Sequence, residues 1–573
     1  MRVFIGAFFV WSIVCAVQAA DGKHMADASG TGTPMLFDCE RSIPALQSQD
    51  LFYEPDACRT FLKSEFGLVF ETGNEAFDRL IRSTMLLQHD RVNAEGHIYE
   101  SVGEINGASR YSSLMFPRTV GEAAYPMCAM GMTDDVIRFY EYLLDSVPET
   151  DLYWPHTIRP GKQIASRHVQ VDISADLIYG FVNLWLFTGD ESLVDRFFPM
   201  LDKRARGIME RHFHEQFGLV DSGNYNEQYG GTKETLCEIF TNMVTLKAYE
   251  MAAYMLEQLG RDEQARWYRE YANKMKKGIA TYLIDKESGT FYSGFYLVSG
   301  KKVPTNWSCC YATRYHDWVD ADLIERTYDR VLLSSMGMFK GYEIWFGGGR
   351  QMETTAKNTG WRCGYLASEG RLLELNEELD FLANCTVQPK DIVGEHYRIS
   401  GPREYPYVRF GGKLDKQYYW VGYREEPGGD YTVDSGNGEQ TIMFLEDLIR
   451  KVAGVDWGEG HPVIAPRWPL NFDDVTVKGI RLPLSPGNVK TVSYHQVRTD
   501  SGCRLELSGL DGESVDVELA LPGPFDSKLL TLTVNDRPLK VQVRAVNSVR
   551  TVRFKAPAGS GPVSVVAEMK KGE

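Results

Sequence analysis

The sequence predicts a mainly α protein, an (α/α)6 toroid (a six-hairpin barrel) followed by a small C-terminal β-sandwich. Three observations predict it. First, long helical segments alternate in character. "ADLIYGFVNLWLF" is apolar on most sides, and "DEQARWYREYANKMKKGIA" is amphipathic and charged. Helices apolar all round belong inside, and amphipathic ones coat them. Second, such inner–outer pairs run over about 380 residues and yield eleven or twelve helices, enough for six hairpins. A superhelical stack of helix pairs is the structural rival, but no fixed-period repeat supports it. Third, the grammar changes after "KVAGVDWGEGHPVIAPRWP" to short alternating runs punctuated by Asp-Gly, Asn-Asp and Pro-Gly.

In chain order, residues 1–20 have the pattern of a signal peptide. Arg2 precedes an apolar run from Val3 to Val17 and the small-residue site "VQA". This predicts a secreted or periplasmic protein. No later stretch approaches the ~18 apolar residues of a membrane span, so no membrane contact is expected after cleavage. Residues 21–74 read as an irregular arm. The barrel occupies 75–460. It starts at "NEAFDRLIRSTMLLQ" and continues through "VGEAAYPMCAMG", "TDDVIRFYEYLLDSV", "QVDISADLIYGFVNLWLFTG" and "ESLVDRFFPMLDKRARGIMERHF". "KETLCEIFTNMVTLKAYEMAAYMLEQLG" and "RDEQARWYREYANKMKKGIATYLID" form the clearest pair, with a glycine C-cap beside a fresh acidic first turn. Further helices are expected at 321–335, 360–384 and 439–454. Residues 461–573 read as the β-sandwich.

Composition narrows the function classes. A net charge of −16 argues against nucleic acid and anionic membrane surfaces as partners. Aromatics reach 12%, a level that suits sugar-stacking clefts and large cores alike. Export would permit disulfides, and Cys39 and Cys58 are a candidate pair. No His/Cys cluster has zinc spacing, so neither a metal nor another cofactor is expected. Oligomeric state is not legible.

"FTGDESLVDRFFPML", "GLVDSGNYNEQ" and "LEQLGRDEQARWYREYANKMKKGIATYLIDKESGTFY" resemble the six-hairpin glycosidases, which include glucoamylases, trehalases and bacterial α-L-rhamnosidases. "LIRKVAGVDWGEGHPVIAPRWP" resembles the segment that links the last barrel helix of rhamnosidases to their β-domain. With the signal-peptide pattern supplying export, the resemblance implies a glycoside hydrolase with a carbohydrate substrate, exo-acting and inverting. Such an enzyme needs two carboxyl groups flanking the scissile bond, one to protonate the leaving oxygen and one to activate water.

The family-like position makes Glu227, in "DSGNYNEQYGG", the expected general acid, with Asn224 and Tyr225 beside it to bond sugar hydroxyls. The base is open between Glu425 and Glu426 in "GYREEPGGDY", which fit the family spacing, and Glu439 at the start of the last helix. A helix N-terminus stabilises an anionic carboxylate. Asp434 is a weaker fourth. "FPRTVGEAAYP" stands where relatives carry "RDAAY", which implies sugar contacts for Arg118 and Glu122; a helix-terminal Arg–Glu pair would leave the same trace. "YWPHTIRPGKQIASRHVQVDISADL" supplies Trp154, His156, Arg159, Gln170 and Asp172 as further substrate contacts, its "QVD" resembling a family string at the mouth. Trp345 in "GYEIWFGGGR" is a candidate stacking ring. Two other readings stay open: a polysaccharide lyase or sugar epimerase on the same toroid, and a non-catalytic glycan-binding protein.

Overall fold

In the computed structural model the described residues are 51, 54–100, 114–224, 234–305, 308–309, 318–332, 338–339, 342–346, 351–355, 357–384, 396–400, 409–410, 413–414, 419–421, 444–458, 460–499, 502–521, 530–539, 542–546, 549–557 and 562–569. Eleven named α-helices fall among them: α1 Pro55–Phe66, α2 Glu75–Asp90, α3 Pro117–Met130, α4 Thr133–Ser146, α5 Asp172–Thr188, α6 Glu191–His212, α7 Ile239–Gln258, α8 Asp262–Gly278, α9 Ala321–Leu332, α10 Lys357–Ser368 and α11 Leu372–Asn384. A last helical segment, 444–452, ends in a π-helical turn at Leu448–Val452.

The expected alternation of burial is present. Every residue of α3 is buried, and so is α5 from Asp172 to Phe187. By contrast α8 buries one stripe, Ala265, Tyr268, Ala272 and Met275, whose spacing of three and four is that of a coating helix. α3 packs on α5 and α5 on α7, forming an inner row. α4, α6 and α8 cover that row from outside, each contacting its inner neighbour. α11 packs against α2, so the end of the helical region meets its beginning. The inner row approaches closely because glycines face each other. A Cβ on Gly180 would lie 2.4 Å from the Gly121 carbonyl oxygen, and one on Gly121 would lie 2.4 Å from that of Asp176.

The connections are asymmetric. Inner helices reach the next outer helix through short turns at 131–132, 189–190 and 259–261. Gly131, Gly189 and Gly260 end their helices there in the left-handed region. Three long segments, 91–116, 147–171 and 213–238, lead into the inner helices α3, α5 and α7. The N-termini of α3, α5 and α7 therefore share one end of the layer with these three connections.

Two sheets follow the helices. With β1 as Val69–Glu71, the later strands are β2 Val455–Gly458, β3 His461–Ile464, β4 Asp474–Ser485, β5 Asn488–Thr499, β6 Gly502–Ser508, β7 Asp516–Leu521, β8 Leu530–Val534, β9 Arg537–Leu539, β10 Gln542–Val546, β11 Val549–Lys555 and β12 Val563–Met569. They form a seven-stranded sheet, β1-β4-β5-β6-β12-β8-β9, and a five-stranded sheet, β2-β3-β7-β11-β10. Only β3–β7 runs parallel among these pairs. The β-region packs on the short-turn end of the helices: Gly487 N donates to Leu186 O at 3.1 Å, and Tyr125 OH donates to Val455 O at 3.2 Å.

Several expectations need correction. The stretch 21–74 is not irregular throughout, because it holds α1 and β1. Pro55 starts α1 at a position that needs no N–H, and Gly67 stops it. β1 is three residues long and exists through pairing with β4, as in Phe70 with Val477, so no local pattern announces it. The sheet also starts before 461, since β2 and β3 form one hairpin across that boundary. The helical stretch 360–384 is two helices, parted by a turn at Gly370 in the left-handed region. Cys58 is a free buried thiol whose pKa burial pushes up to about 11; Cys39 lies outside the described residues. No helix among the described residues is long and apolar enough to cross a membrane.

Candidate active site

The long-connection end gathers much of the predicted set. Pro117 opens α3, which puts Arg118 in its first turn. Arg118 is buried and reaches the Asp172 carboxylate at 3.5 Å. Asp172 occupies the equivalent first turn of α5. Gln170, two residues earlier, donates from its amide to the same carboxylate oxygen, Nε2 to Asp172 Oδ2 at 3.1 Å. The "QVD" spacing thus brings amide and carboxylate together just outside and just inside a helix start. Burial raises the Asp172 pKa, and Arg118 offsets that rise only in part.

Asn224 joins the same group. Its Oδ1 accepts from Val169 N at 2.8 Å, its own N–H donates to Val169 O at 3.1 Å, and Gly223 bridges Gln170. His156 stands next to Arg118. Burial, together with the charge of Arg118 and the ring of His168, pushes its pKa down to about 3, so the imidazole is neutral. Its ring meets Phe116 edge-on at 5.2 Å and His168 at 5.6 Å. A neutral imidazole and a phenyl ring beside a guanidinium make an amphipathic surface suited to a polyol, whose C–H faces stack and whose hydroxyls bond.

Helical spacing adds carboxylates that the sequence reading passed over. Glu122 was anticipated and lies one turn after Arg118, fully buried. Asp176 lies one turn after Asp172 and Glu238 immediately precedes α7, and both are also fully buried. An available signal was the acid at i+4 in an otherwise apolar helix, "DISADLIYGF". Glu238 gave none, because an acid before a helix usually serves as a solvated N-terminal charge.

The remaining candidates are either placed elsewhere or lie outside the described residues. Trp154 is buried beneath the Arg204 guanidinium, 4.1 Å from its ring centroid, so it packs in the core and offers no stacking face. Arg159 is exposed on the 157–166 hairpin, where its carbonyl accepts from Tyr142 OH at 2.9 Å. Trp345 belongs to strand Tyr342–Phe346, paired with Glu353, and its side chain lies outside the described residues. Tyr225, Glu227, Glu425, Glu426, Asp434 and Glu439 lie outside them as well.

No protein-family model matches the chain, and no curated protein matches it in sequence. Solved structures do match in fold, and the class they define is that of six-hairpin glycosidase-like enzymes. The α-L-rhamnosidase from Dictyoglumus thermophilum superposes with a TM-score of 0.56 at 14% identity, over 87% of this chain and 50% of that one. The Streptomyces avermitilis α-L-rhamnosidase complexed with L-rhamnose gives 0.54 at 15% identity, over 87% and 42%. A putative kojibiose phosphorylase from human microbiome gives 0.50 at 10% identity, over 89% and 70%. The chain thus spans about half the length, or less, of the rhamnosidases it resembles. At these identities the likeness establishes the fold.

Proposed function

We propose that the protein is an exported glycoside hydrolase on an (α/α)6 toroid closed by a C-terminal β-sandwich, exo-acting and inverting. One observation carries this reading. Arg118, Asp172, Gln170 and Asn224 converge, with Glu122 buried one turn further along α3 and Glu238 buried just before α7, at the long-connection end of a fold shared with α-L-rhamnosidases. In this reading that group holds the hydroxyls of the terminal sugar. Glu227 protonates the leaving oxygen, and one of Glu425, Glu426 and Glu439 activates water. A separation of roughly 6.5–9.5 Å between the two carboxyl groups accompanies inversion, and about 5–5.5 Å accompanies retention.

A screen of aryl glycosides and plant or algal oligosaccharides, run with wild type and Glu227→Gln, tests the proposal. Activity in wild type with a loss of about 10²–10⁴-fold in the variant supports it. Full activity in Glu227→Gln removes that residue from the mechanism. The fold likeness to a putative kojibiose phosphorylase supports a second reading, in which phosphate replaces water. Sugar 1-phosphate formed only in phosphate buffer would establish it. Ultraviolet-absorbing unsaturated ends would point to a lyase, and binding without turnover to a glycan-binding protein.

A further inference from the structure

The segment 225–233 is flanked by two described stretches, and these are joined more firmly than a surface turn requires. Ser222 N donates to Leu236 O at 2.9 Å across the neck. Asn242, fully buried on the first turn of α7, binds both sides. Its Oδ1 accepts from Val220 N at 2.9 Å, and its Nδ2 donates to Val220 O and Glu238 O, each at 2.8 Å. Asp221 sits between these ties, nearly buried. An Asx turn needs only its bond from Gly223 N, 2.8 Å to Oδ1. Asp221 has two more: His212 Nδ1 meets Oδ1 and His214 Nε2 meets Oδ2, each at 2.8 Å. Tyr153 OH lies 2.8 Å from His212 Nε2. With Nδ1 donating to the carboxylate, Nε2 is free to accept the phenol proton, so the chain Tyr153–His212–Asp221 has one consistent proton arrangement.

The clamp continues to the candidate site. Gly223, held by Asp221, bridges Gln170; Gln170 bonds Asp172; Asp172 faces Arg118. Asn224 secures the same junction through both backbone groups of Val169. We infer that Asp221, held by His212 and His214, is a positioning residue that pins the neck 219–224, from which the chain runs on to Glu227, against the Gln170–Asp172–Arg118 group. The inference rests on the reading of Glu227 as the general acid.

Misplacement of a reacting group by about 1 Å costs on the order of 10²-fold in rate. The test uses the full chain with Asp221→Asn and His212→Phe. The control is Asp474→Asn, which breaks a His–Asp pair of similar length, 2.7 Å, on the exposed face of β4 and β5. The expected result is a kcat lower by about 10–100-fold with KM within about threefold. Amide hydrogen exchange at 219–224 should accelerate by at least about tenfold, with no change in the control. Unchanged exchange at 219–224 overturns the inference, and so does accelerated exchange with an unchanged kcat. Activity lost only in proportion to the unfolded fraction overturns it too. Should Asp221→Asn not fold, His214→Gln removes one bond at a more exposed ring and bears the same test. If wild type turns over no glycoside, the hydrolase reading fails, while the exchange measurement still decides whether Asp221 pins the neck.

Discussion

Arg118 and Arg450 are both arginines facing acids on inner helical segments, yet they sit in opposite electrostatic regimes. Arg450 lies where the last helical segment meets the β-region. Its Nε bonds Asp456 at 2.7 Å, and its NH1 bonds Tyr179 OH at 2.8 Å and Glu446 at 3.0 Å. Lys451 adds a 2.9 Å bond to the other Asp456 oxygen. Burial alone would raise the Asp456 carboxyl, but Arg450 and Lys451 outweigh it and hold the pKa below the ordinary value. At Asp172 burial wins over Arg118 at 3.5 Å, and the pKa is raised. One network is a saturated joint between helix and sheet. The other leaves a buried acid short of full compensation, a state that a hydroxyl-bearing ligand can relieve.

Removing the guanidinium from each network gives the sharpest contrast. Arg450→Met should destabilise the fold by about 3–5 kcal/mol, because Asp456 and Glu446 stay buried without their counter-charge. Chemical denaturation measures this, and a loss under about 1 kcal/mol would refute the joint. Arg118→Met should cost about 10²-fold in kcat/KM, roughly 2.7 kcal/mol, with a smaller change in the unfolding midpoint. If the midpoint falls as far as in Arg450→Met, the two arginines are of one kind and the comparison breaks. Gly180→Ala tests the crossing that seats Arg118 beside Asp172. Its Cβ would meet the Gly121 oxygen at 2.4 Å and Tyr140 OH at 2.9 Å. A loss of about 1–3 kcal/mol is expected, accompanied by weaker substrate binding.

The smallest effect is the dependence on pH. Asp456 has a depressed folded pKa, so its stabilisation is present above the unfolded value, near 3.9, and is lost as pH falls through the folded one. Asp221 behaves alike: burial opposes its charge, His212 and His214 prevail, and its pKa falls to about 2. Asp172 has the opposite sign, because its raised pKa favours the folded state at low pH and costs stability as pH rises. Asp456→Asn should therefore flatten the acid loss of stability, and Asp172→Asn should steepen it. Urea midpoints at pH 7, 4 and 3 decide between these signs.

The helical region was legible because burial enforces periodicity. "ADLIYGFVNLWLF" has no polar face to hide, and α8 shows its stripe in the spacing of four residues. Arg118, Gln170 and Asp172 were legible because a helix start places the residues around it in a known direction. Trp154 was not, since an indole reads alike whether it stacks on sugar or lies under Arg204. The role of Asp221 was not legible, because its partners His212 and His214 lie on the far side of a separate turn. β1 was missed because its identity is written in β4, not in its own three residues.

That last pairing has a consequence for how the chain comes into being. β1 precedes α2 to α11, and its partner β4 follows them, roughly 400 residues later. During synthesis at ~5–20 residues per second, β1 waits tens of seconds for its partner. The helical layers must form while one stretch near their start is still unclaimed. The seven-stranded sheet is therefore a late-closing seam, and chaperone dependence or misassembly should concentrate there, not among the helices.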